Sequence, residues 1–222
     1  MKRLVVIPAR GGSKRLPGKN LLSLGGKPLL AHSIAFARDN RTLLDKIVVS
    51  TDDPEIKEIA LKEGVEVIDR PSELARDTSP TSDVLRHALS VQQDTFDWVV
   101  LLQVTNPLRP AYLLKGACDI LESNEYDSLM TVTRNHQKFG KIHNDRFEPF
   151  NYEMGQRSQD LDPLYFENGL LYITRPDLIE QGIILGDNNY PLIVNHPYAE
   201  VDIDTEEDLA YAEFVLKTYP QP

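Results

Sequence analysis

Residues 4–20 read LVVIPARGGSKRLPGKN. A short β-branched run such as Leu4–Pro8 is typical of a buried strand in a parallel sheet, and this one leads directly into a basic, glycine-rich loop. Gly12 is a candidate nucleotide-binding residue, because glycines let backbone N–H groups turn toward a bound oxyanion. Arg10 offers a planar fork for phosphate oxygens, and Lys19 offers a compact charge. The stretch therefore predicts a phosphate-binding loop at the end of a buried strand.

This loop matches neither of the two familiar phosphate-binding patterns. In the Walker pattern G-x-x-x-x-G-K-[ST], a hydroxyl residue follows the lysine. Here Gly12 and Gly18 are one position too far apart, and Asn20 follows Lys19. The dinucleotide pattern G-x-G-x-x-G does not occur in the loop either. We therefore expect the phosphates to be held in another way.

Strand-like runs alternate with amphipathic stretches along most of the chain. The predicted strands are Leu4–Pro8, Lys46–Thr51, Val65–Ile68 and Trp98–Val104, and the pattern resumes at Leu170–Ile173. Apolar residues at three- and four-residue spacing predict helices over residues 28–39, 54–63, 82–93 and 111–123. Asp53 and Ser82 are predicted to cap the second and third of these helices. The alternation predicts an α/β fold with a mostly parallel sheet and helices on both faces.

Ligands of such sheets bind beyond the carboxyl ends of the strands. The loops expected at that edge are polar and rich in Pro, Ser or Thr. They read PARGGSKRLPGKN, TDDPE, DRPSELARDTSPT and VTNPLRP. We expect the functional site to be assembled from these four loops.

The alternation is interrupted at residues 134–165. This segment holds few long apolar runs and many Asn, His, Gln and Arg residues. About thirty residues are too few to form an independent core. We therefore interpret the segment as a small arm inserted into a single domain that covers residues 1–222.

Charge and cysteine content narrow the class of protein. The net charge of −10 argues against nucleic acid as the main partner. Residues 1–38 nevertheless hold eight Lys or Arg and no acid, whereas residues 176–216 hold ten acids and no Lys or Arg, so the basic segment is expected to bind an anion. No apolar run is long enough to span a membrane. The single cysteine, Cys118, permits no internal disulfide, which is typical of a reducing cytoplasm, and its neighbours predict a core position.

An acidic motif near the C-terminus supplies a second element of chemistry. Residues 200–205 read EVDIDT. On a strand, Asp202 and Asp204 would point to the same face and could present both carboxylates to one point. Two hard oxygen ligands beside a phosphate loop predict a Mg²⁺ site. Thr205 and Asp208 form a T-x-x-D pattern that predicts the capped start of a final helix.

Together these motifs resemble those of one known family. IPARGGSKRLPGKN, RPSELARDTSPT, LLQVTNPLRP, RSQDL, NGLLYI and VDIDTEEDLAYAE occur in the order found in the cytidylyltransferases that activate nonulosonic acids, the CMP-N-acylneuraminate and CMP-legionaminate synthetases. The resemblance extends from Ile7 to Glu213. It implies a Rossmann-like nucleotidyltransferase in the cytoplasm. It also implies a homodimer formed through the inserted arm, in which each protomer helps to close its neighbour's site.

The resemblance implies roles for individual residues. Those that would hold the CTP phosphates and the nucleotide are Arg10, Ser13, Lys19 and Asn20, and those that would complete the nucleotide and sugar contacts are Arg70, Thr81 and Gln103. Arg157 of RSQDL would reach the acidic substrates from the arm. Asp202 and Asp204 would be the magnesium ligands, and with Arg10 and Lys19 they would form the catalytic group.

The sugar side of the site departs from the family in places. Asp162 stands where family members often have proline, and Phe166–Gly169 is one residue shorter than the usual turn. Either Lys138 or Lys141 matches the family's sugar-side lysine. Tyr165 and Phe166 either line the sugar pocket or pack at the base of the arm.

The implied reaction transfers a cytidylyl group from CTP to a nine-carbon 2-keto sugar acid, an N-acylneuraminate, and releases pyrophosphate. Close alternatives are a CMP-legionaminate synthetase and a CMP-Kdo-type synthetase. An alternative of another class is a nucleotide-binding regulatory protein without catalysis. The Asp202 and Asp204 pair argues against that class, because sensing requires no metal at the α-phosphate. No residue stands out in the sequence as a general base.

Overall fold

The computed structural model describes residues 1–219, which are organised around one seven-stranded sheet. In chain order the strands are β1 (Arg3–Pro8), β2 (Ser23–Leu24), β3 (Lys27–Pro28), β4 (Lys46–Thr51), β5 (Glu66–Asp69), β6 (Trp98–Leu101), β7 (Ser128–Asn135), β8 (Gly140–His143), β9 (Arg146–Pro149), β10 (Leu164–Thr174) and β11 (Asn189–Ile193). The main sheet has the order β11-β7-β10-β6-β1-β4-β5. Two small separate sheets consist of β2 with β3 and of β8 with β9.

All strands of the main sheet except β10 run in one direction. β1 is parallel to β4 and β6, β4 to β5, and β7 to β11, whereas β10 is antiparallel to both β6 and β7. The carboxyl ends of β1, β4, β5, β6 and β7 therefore lie at one edge, where sheets of this kind bind ligands. The predicted mostly parallel sheet is confirmed.

Helices cover both faces of the sheet, as the alternation predicts. They are α1 (Leu29–Asp39), α2 (Pro54–Lys62), α3 (Thr81–Ser90), α4 (Leu113–Ser123), α5 (Pro176–Glu180) and α6 (Glu206–Thr218). Val5 and Ile7 pack into the core shared with α1, α2, α4 and α6, while Leu4 and Val6 pack into the core shared with α3 and α5. Because successive side chains of a strand point to opposite faces, burial on both sides explains the unbroken apolar run of β1.

The end of β6, the position of Cys118 and the length of the helices can each be compared with the sequence predictions. The strand predicted over Trp98–Val104 ends at Leu101, which leaves the following residues to form a loop at the carboxyl edge. Cys118 is a buried free cysteine in α4, as predicted. Among the described residues, no helix is long and apolar enough to cross a membrane.

Two of the three predicted helix caps are confirmed, those at Asp53 and at Thr205. The Asp53 carboxylate accepts hydrogen bonds from two N–H groups in the first turn of α2. The cap predicted at Ser82 is wrong, because α3 begins one residue earlier, at Thr81, and follows Pro80. Proline has no side-chain acceptor, so the N–H groups of that first turn receive no side-chain cap.

The acidic motif is not a strand, which corrects the sequence prediction. Residues 201–205 pair with no strand within the described chain. The N–H of Ile203 donates instead to the carbonyl oxygen of Thr105, at 2.8 Å. Thr205 and Asp208 then form the predicted capping box at the start of α6. Since the backbone is held by a loop on one side and by a helix cap on the other, it is not available for sheet pairing.

Residues 136–163, here called the excursion, connect β7 to β10 outside the main sheet. The hairpin of β8 and β9 turns through Asn144 and Asp145, both with positive φ. Large apolar side chains are exposed along the excursion: Phe139, Ile142, Phe147, Phe150 and Met154. A role for the excursion as a dimerisation arm stays a prediction.

Candidate active site

A cavity of about 300 Å³ opens at the carboxyl edge of the sheet. Three of the four loops expected to form the site contribute to its lining, and the loop after β4 does not. Of the eight residues predicted to contact the nucleotide, seven line the cavity: Arg10, Ser13, Lys19, Asn20, Arg70, Thr81 and Gln103. The eighth, Gly12, lies in an adjoining groove that also contains Arg10 and Asp77.

Two cations at the start of the phosphate loop share one carboxylate. Asp77, from the loop after β5, lies 2.6 Å from a terminal nitrogen of Arg10 and 2.6 Å from Nζ of Lys14. The hydrogen bonds from Lys14 and Arg10 lower the pKa of Asp77. One carboxylate of the loop after β5 thus neutralises part of the positive charge at the start of the phosphate loop.

Two cations at the end of the loop share a second carboxylate. Asp204 accepts hydrogen bonds from Nζ of Lys19 at 2.8 Å and from Arg15 at 2.6 Å. The Lys19 side chain is 13% exposed and lines the cavity, whereas Arg15 is largely exposed. The hydrogen bond from Lys19 lowers the pKa of Asp204. The acidic motif is thus tied directly to the phosphate loop, although the two are far apart in sequence.

Asp202 has a different electrostatic environment from Asp204. The residue as a whole is exposed, but the protein that crowds its carboxyl group withdraws water and raises its pKa. The nearby charge of Asp204 raises the pKa further, and a hydrogen bond with Thr105 lowers it. The two carboxylates are therefore close enough to interact, and one of them lacks the cationic partners that the other has.

Hydrogen bonds within the phosphate loop fix its shape. The buried side-chain amide of Asn20 donates to the carbonyl oxygen of Arg10 at 2.8 Å and so joins the two ends of the loop. The N–H of Gly11 donates to the carboxylate of Asp52 at 3.1 Å. A Cβ at Gly11 would approach a carboxylate oxygen of Asp53 to 2.4 Å, so only glycine fits there. Asp52 thus supports the loop backbone.

Arg70 is fixed at the back of the cavity. Its guanidinium donates to the hydroxyl and to the carbonyl oxygen of Ser50, at 3.2 and 2.5 Å, and the residue is buried. Burial lowers the pKa of Arg70 to about 10, while the charge of Asp52 acts in the opposite direction. The side chain therefore remains cationic near neutral pH and faces the cavity with little freedom to move.

Asn106 holds the segment that carries the two aspartates. Its buried side-chain nitrogen donates to the carbonyl oxygens of Asn168 and Val201, at 3.0 and 3.1 Å. Gly169 has a φ of +73°, and a Cβ there would lie 2.6 Å from the Asn106 side-chain oxygen. With the hydrogen bond between Ile203 and the same loop, the backbone is fixed on both sides of Asp202.

A buried arginine shapes the wall formed by the loop after β6. Arg109 is 1% exposed and donates to the carbonyl oxygens of Gln103 and Leu170, at 2.7 and 2.6 Å, and to the hydroxyl of Ser33. Complete burial lowers the pKa of Arg109 to about 9. Because the guanidinium holds the main chain of Gln103, it supports a predicted nucleotide contact without lining the cavity itself.

Of the five residues predicted to contact the sugar, Gln103 lines this cavity and the other four lie away from it. Arg157, 70% exposed, forms a bidentate pair with Asp160 in the excursion at 2.7 and 3.1 Å. Lys138 donates to the carbonyl oxygen of Gln156 and lies over the ring of Tyr152. None of the four predicted residues Lys138, Arg157, Tyr165 and Phe166 lines the cavity.

Tyr165 and Phe166 belong to β10 and are 45% and 38% exposed. The segment from Phe166 to Gly169, interpreted from the sequence as a turn, is part of that strand, where the pairing with β7 shifts register after Glu167. Two roles were considered for Tyr165 and Phe166. Their exposure argues against tight packing at the base of the excursion.

Several residues at the site were not singled out from the sequence, although they lie in the motifs quoted above. They are Asp77, Thr105, Asn106 and Arg109. Residues 75–81 read ARDTSPT, in which Asp77 is the only acid. A single acid in a basic, hydroxyl-rich loop could have identified Asp77 as a site residue. Asn106 and Arg109 act through main-chain hydrogen bonds, for which the residue type alone gives no signal.

The sequence profile of one family, described as Cytidylyltransferase, matches residues 4–219. The chain belongs to the cytidylyltransferase family. The matched region includes the cavity, the phosphate loop and the acidic motif.

Several curated cytidylyltransferases are about one-third identical to this chain. An N-acylneuraminate cytidylyltransferase of Streptococcus agalactiae is 33% identical over 219 residues, which cover 95% of this chain and 52% of the relative. The chain thus spans about half the length of this streptococcal relative. A pseudaminic acid cytidylyltransferase of Campylobacter jejuni is 34% identical, and the CMP-N,N'-diacetyllegionaminic acid synthase of Legionella pneumophila is 35% identical. Each of these alignments covers 98% of this chain and 97% of the relative.

Solved structures share the fold of this cytidylyltransferase. A CMP:2-keto-3-deoxy-manno-octonic acid synthetase complexed with CTP has a TM-score of 0.70 at 19% identity, and the match covers 98% of this chain and 99% of that one. A 4-diphosphocytidyl-2C-methyl-D-erythritol synthase of Anaerococcus prevotii has a TM-score of 0.65 at 16% identity and covers 97% of this chain. At these identities the comparisons establish the fold alone.

Proposed function

We propose that this protein transfers a cytidylyl group from CTP to a nine-carbon 2-keto sugar acid of the sialic type and releases pyrophosphate. The family supports the nucleotide. The Campylobacter and Legionella relatives, which match along nearly their whole length, are named for pseudaminic and legionaminic acids, and the streptococcal relative for N-acylneuraminate. These names support a sugar acid as the acceptor.

The observation that carries the proposal is the convergence of the phosphate loop with the acidic motif. Seven predicted nucleotide contacts line one cavity, and Lys19 in that cavity lies 2.8 Å from Asp204. A site that only sensed a nucleotide would need the cations but not the two adjacent carboxylates. Cations for a triphosphate and carboxylates for a metal in one place favour nucleotidyl transfer over binding alone.

In the proposed reaction, the anomeric hydroxyl oxygen of the sugar acid attacks the α-phosphorus of CTP. The new bond joins that oxygen to phosphorus, the bond from the α-phosphorus to the bridging oxygen breaks, and pyrophosphate leaves with the bond's electron pair. The hydroxyl proton passes to solvent. Arg10 and Lys19 would exchange their carboxylate partners for phosphate oxygens and stabilise the charge that develops on the leaving group.

Asp202 and Asp204 have the donor chemistry that a Mg²⁺ ion requires. Both offer carboxylate oxygens next to the phosphate loop, and Asp202 is exposed to solvent. When bound there, Mg²⁺ would neutralise phosphate charge and help to orient the triphosphate. The hydrogen bonds from Asn106 to Val201 and from Ile203 to Thr105 fix the backbone on both sides of Asp202. Metal binding would therefore not have to order the carboxylates.

The homodimer and the cytoplasmic location are also part of the proposal. The apolar side chains exposed on the excursion, such as Ile142 at 79% and Met154 at 77%, support its burial against a second copy. The single cysteine is free and buried, which is compatible with a reducing compartment. Sedimentation equilibrium would measure the oligomeric state directly.

A pyrophosphate-release assay tests the function. The protein, with Mg²⁺, is given each of CTP, UTP, ATP and GTP, and each of N-acetylneuraminic, diacetyllegionaminic and pseudaminic acids and Kdo. We expect turnover with CTP and at least one nine-carbon acid, and little with Kdo. Comparable turnover with UTP would contradict the choice of nucleotide, and binding of CTP without pyrophosphate release from any acceptor would favour the regulatory alternative.

A further inference from the structure

Arg134 is a cation on the main sheet whose guanidinium is not satisfied by the protein. It is the next-to-last residue of β7 and half-buried. Its Nε atom is buried, and no partner for that atom occurs in residues 1–219. Buried N–H groups of charged side chains nearly always have an acceptor, so an unsatisfied one at the edge of a site needs an explanation.

The register of the sheet shows which side chains surround Arg134. Tyr165 of β10 lies opposite Arg134, and Glu167 lies opposite Val132. Residues two apart on a strand share a face, and opposed residues of antiparallel strands point to the same side. Arg134, Tyr165 and Glu167 therefore form one group on one face of the sheet. We call these three residues the β7–β10 platform.

Glu167 connects the platform to the strand that leads into the cavity. It accepts a hydrogen bond from the Tyr172 hydroxyl. Tyr172 lies opposite Leu101, the last residue of β6, and the loop after β6 lines the cavity with Gln103 and Thr105. The platform is thus linked through one side chain to a wall of the cavity.

The platform is open to solvent on the face that carries Arg134. Tyr165 and Glu167 are exposed. On the opposite face, by contrast, Thr133 is buried and hydrogen-bonded to the carbonyl oxygen of Val194 and to the side chain of Asn168. A ligand can therefore approach Arg134 from solvent.

The position of Arg134 indicates a substrate group other than the triphosphate. β7 lies three strand positions from β1, which carries the phosphate loop. At about 4.8 Å per strand, the separation is roughly 14 Å. The triphosphate already has Arg10, Lys14, Arg15 and Lys19 on its own side. Arg134 is therefore placed for an anionic group at the acceptor end of the site.

We infer that Arg134 binds the carboxylate of the sugar acid. This inference rests on the proposed function and adds a specificity residue to it. A planar guanidinium pairs with a carboxylate through two parallel hydrogen bonds, which a neutral acceptor sugar cannot provide. Arg157, the arginine suggested by the family resemblance, is already paired with Asp160 and lies in the excursion.

The test compares Arg134→Ala, Arg134→Gln and Arg134→Lys with the wild type. Removing a charged hydrogen-bonding group should raise the KM for the sugar acid roughly 10- to 100-fold, while the KM for CTP changes less than about twofold. The wild type should prefer the sugar acid to its methyl ester, and the Ala and Gln variants should lose that preference. Lysine should restore part of it. Arg41→Ala, which removes an exposed arginine from the turn before β4, is the control and should change none of these values.

A binding measurement separates this inference from the proposed function. Titration calorimetry of the sugar acid, with a non-hydrolysable CTP analogue present, requires no turnover. Wild-type binding that is lost in Arg134→Gln supports the inference even if no pyrophosphate is released, in which case only the proposed reaction fails. Equal binding by wild type and Arg134→Gln overturns the inference while leaving the reaction intact. Absence of binding by the wild type overturns both. A loss of acid preference that appears equally in Arg41→Ala overturns the inference alone.

Discussion

The phosphate loop and the excursion are both polar and rich in charge, but their charged side chains are held in different ways. In the loop, residues 10–20, four cations are held by two carboxylates, and Asn20 is buried against the backbone. In the excursion, residues 136–163, the predicted functional cation Arg157 is 70% exposed and paired only with its near neighbour Asp160.

The difference indicates which half of the site a single chain can complete. The groups for the nucleotide are preorganised by contacts between segments far apart in sequence, such as Lys19 with Asp204. Of the groups that the family resemblance assigns to the sugar, Arg157 and Lys138 form their side-chain contacts within the excursion, with Asp160 and with the main chain of Gln156. The nucleotide half is therefore built into the sheet, whereas the excursion would require a substrate or a second protomer to bring Arg157 into use.

The largest expected effect comes from the two aspartates. Asp202→Asn and Asp204→Asn should each lower kcat on the order of a hundredfold or more and weaken the response to Mg²⁺, because charge stabilisation in the transition state is lost. Their stabilities should differ in sign. Asp202 has a raised pKa and lacks the cationic contacts of its neighbour, so its variant should melt slightly higher, while Asp204→Asn loses Lys19 and should melt slightly lower.

Magnesium titrations of activity beside melting curves measure both effects. Glu200→Gln removes a nearby exposed carboxylate and serves as the control. Wild-type turnover and magnesium response in both aspartate variants would leave the pair with a structural role only.

An intermediate effect is expected from Arg157. Arg157→Ala should lower kcat/KM by about one to three decades, the contribution of a charged contact with substrate, and leave the melting temperature nearly unchanged. Its ion pair spans three positions and is exposed, so it contributes little to folding. Arg86→Ala removes a similar exposed pair, with Asp83, and should leave activity unchanged. Early unfolding of Arg157→Ala would place Arg157 in the scaffold or an interface instead.

The smallest effect is expected from Asp77, which competes with phosphate for the cations of the loop. Asp77→Asn should lower the KM for CTP roughly two- to fivefold, because partly exposed ion pairs are weak. Asp94→Asn removes an exposed partner of Lys2 and is the control. A higher KM for CTP in Asp77→Asn would show that Asp77 orients Arg10 for the nucleotide rather than competing with it.

The sequence was sufficient for the sheet, for the helices on both faces and for the clustering of the nucleotide residues. Periodicity predicts burial, and burial on both faces of β1 gives an unbroken apolar run that is easily recognised. Seven of eight predicted nucleotide residues line one cavity because the loops that carry them follow parallel strands with a shared carboxyl edge.

The conformation of the acidic motif could not be predicted in the same way. Alternating residues in VDID favour a strand, but the backbone of Ile203 is held by Thr105 and that of Val201 by Asn106. These are tertiary hydrogen bonds between loops, and they override the strand preference of the alternating residues. Arg134 gave no signal either, because an arginine in a strand is recognised as unsatisfied only when its neighbours are known.

The antiparallel strand β10 makes the excursion an exchangeable module. Leu164 pairs with Asn135, so the two ends of the excursion are adjacent partners in the sheet. A connection between adjacent antiparallel strands can be lengthened or shortened at a small entropic cost, about 0.6 kcal/mol for each doubling of its length. Residues 136–163 can therefore be replaced while the main sheet and its cavity keep their structure, and under the proposed function such a replacement would change the contacts available to the acceptor.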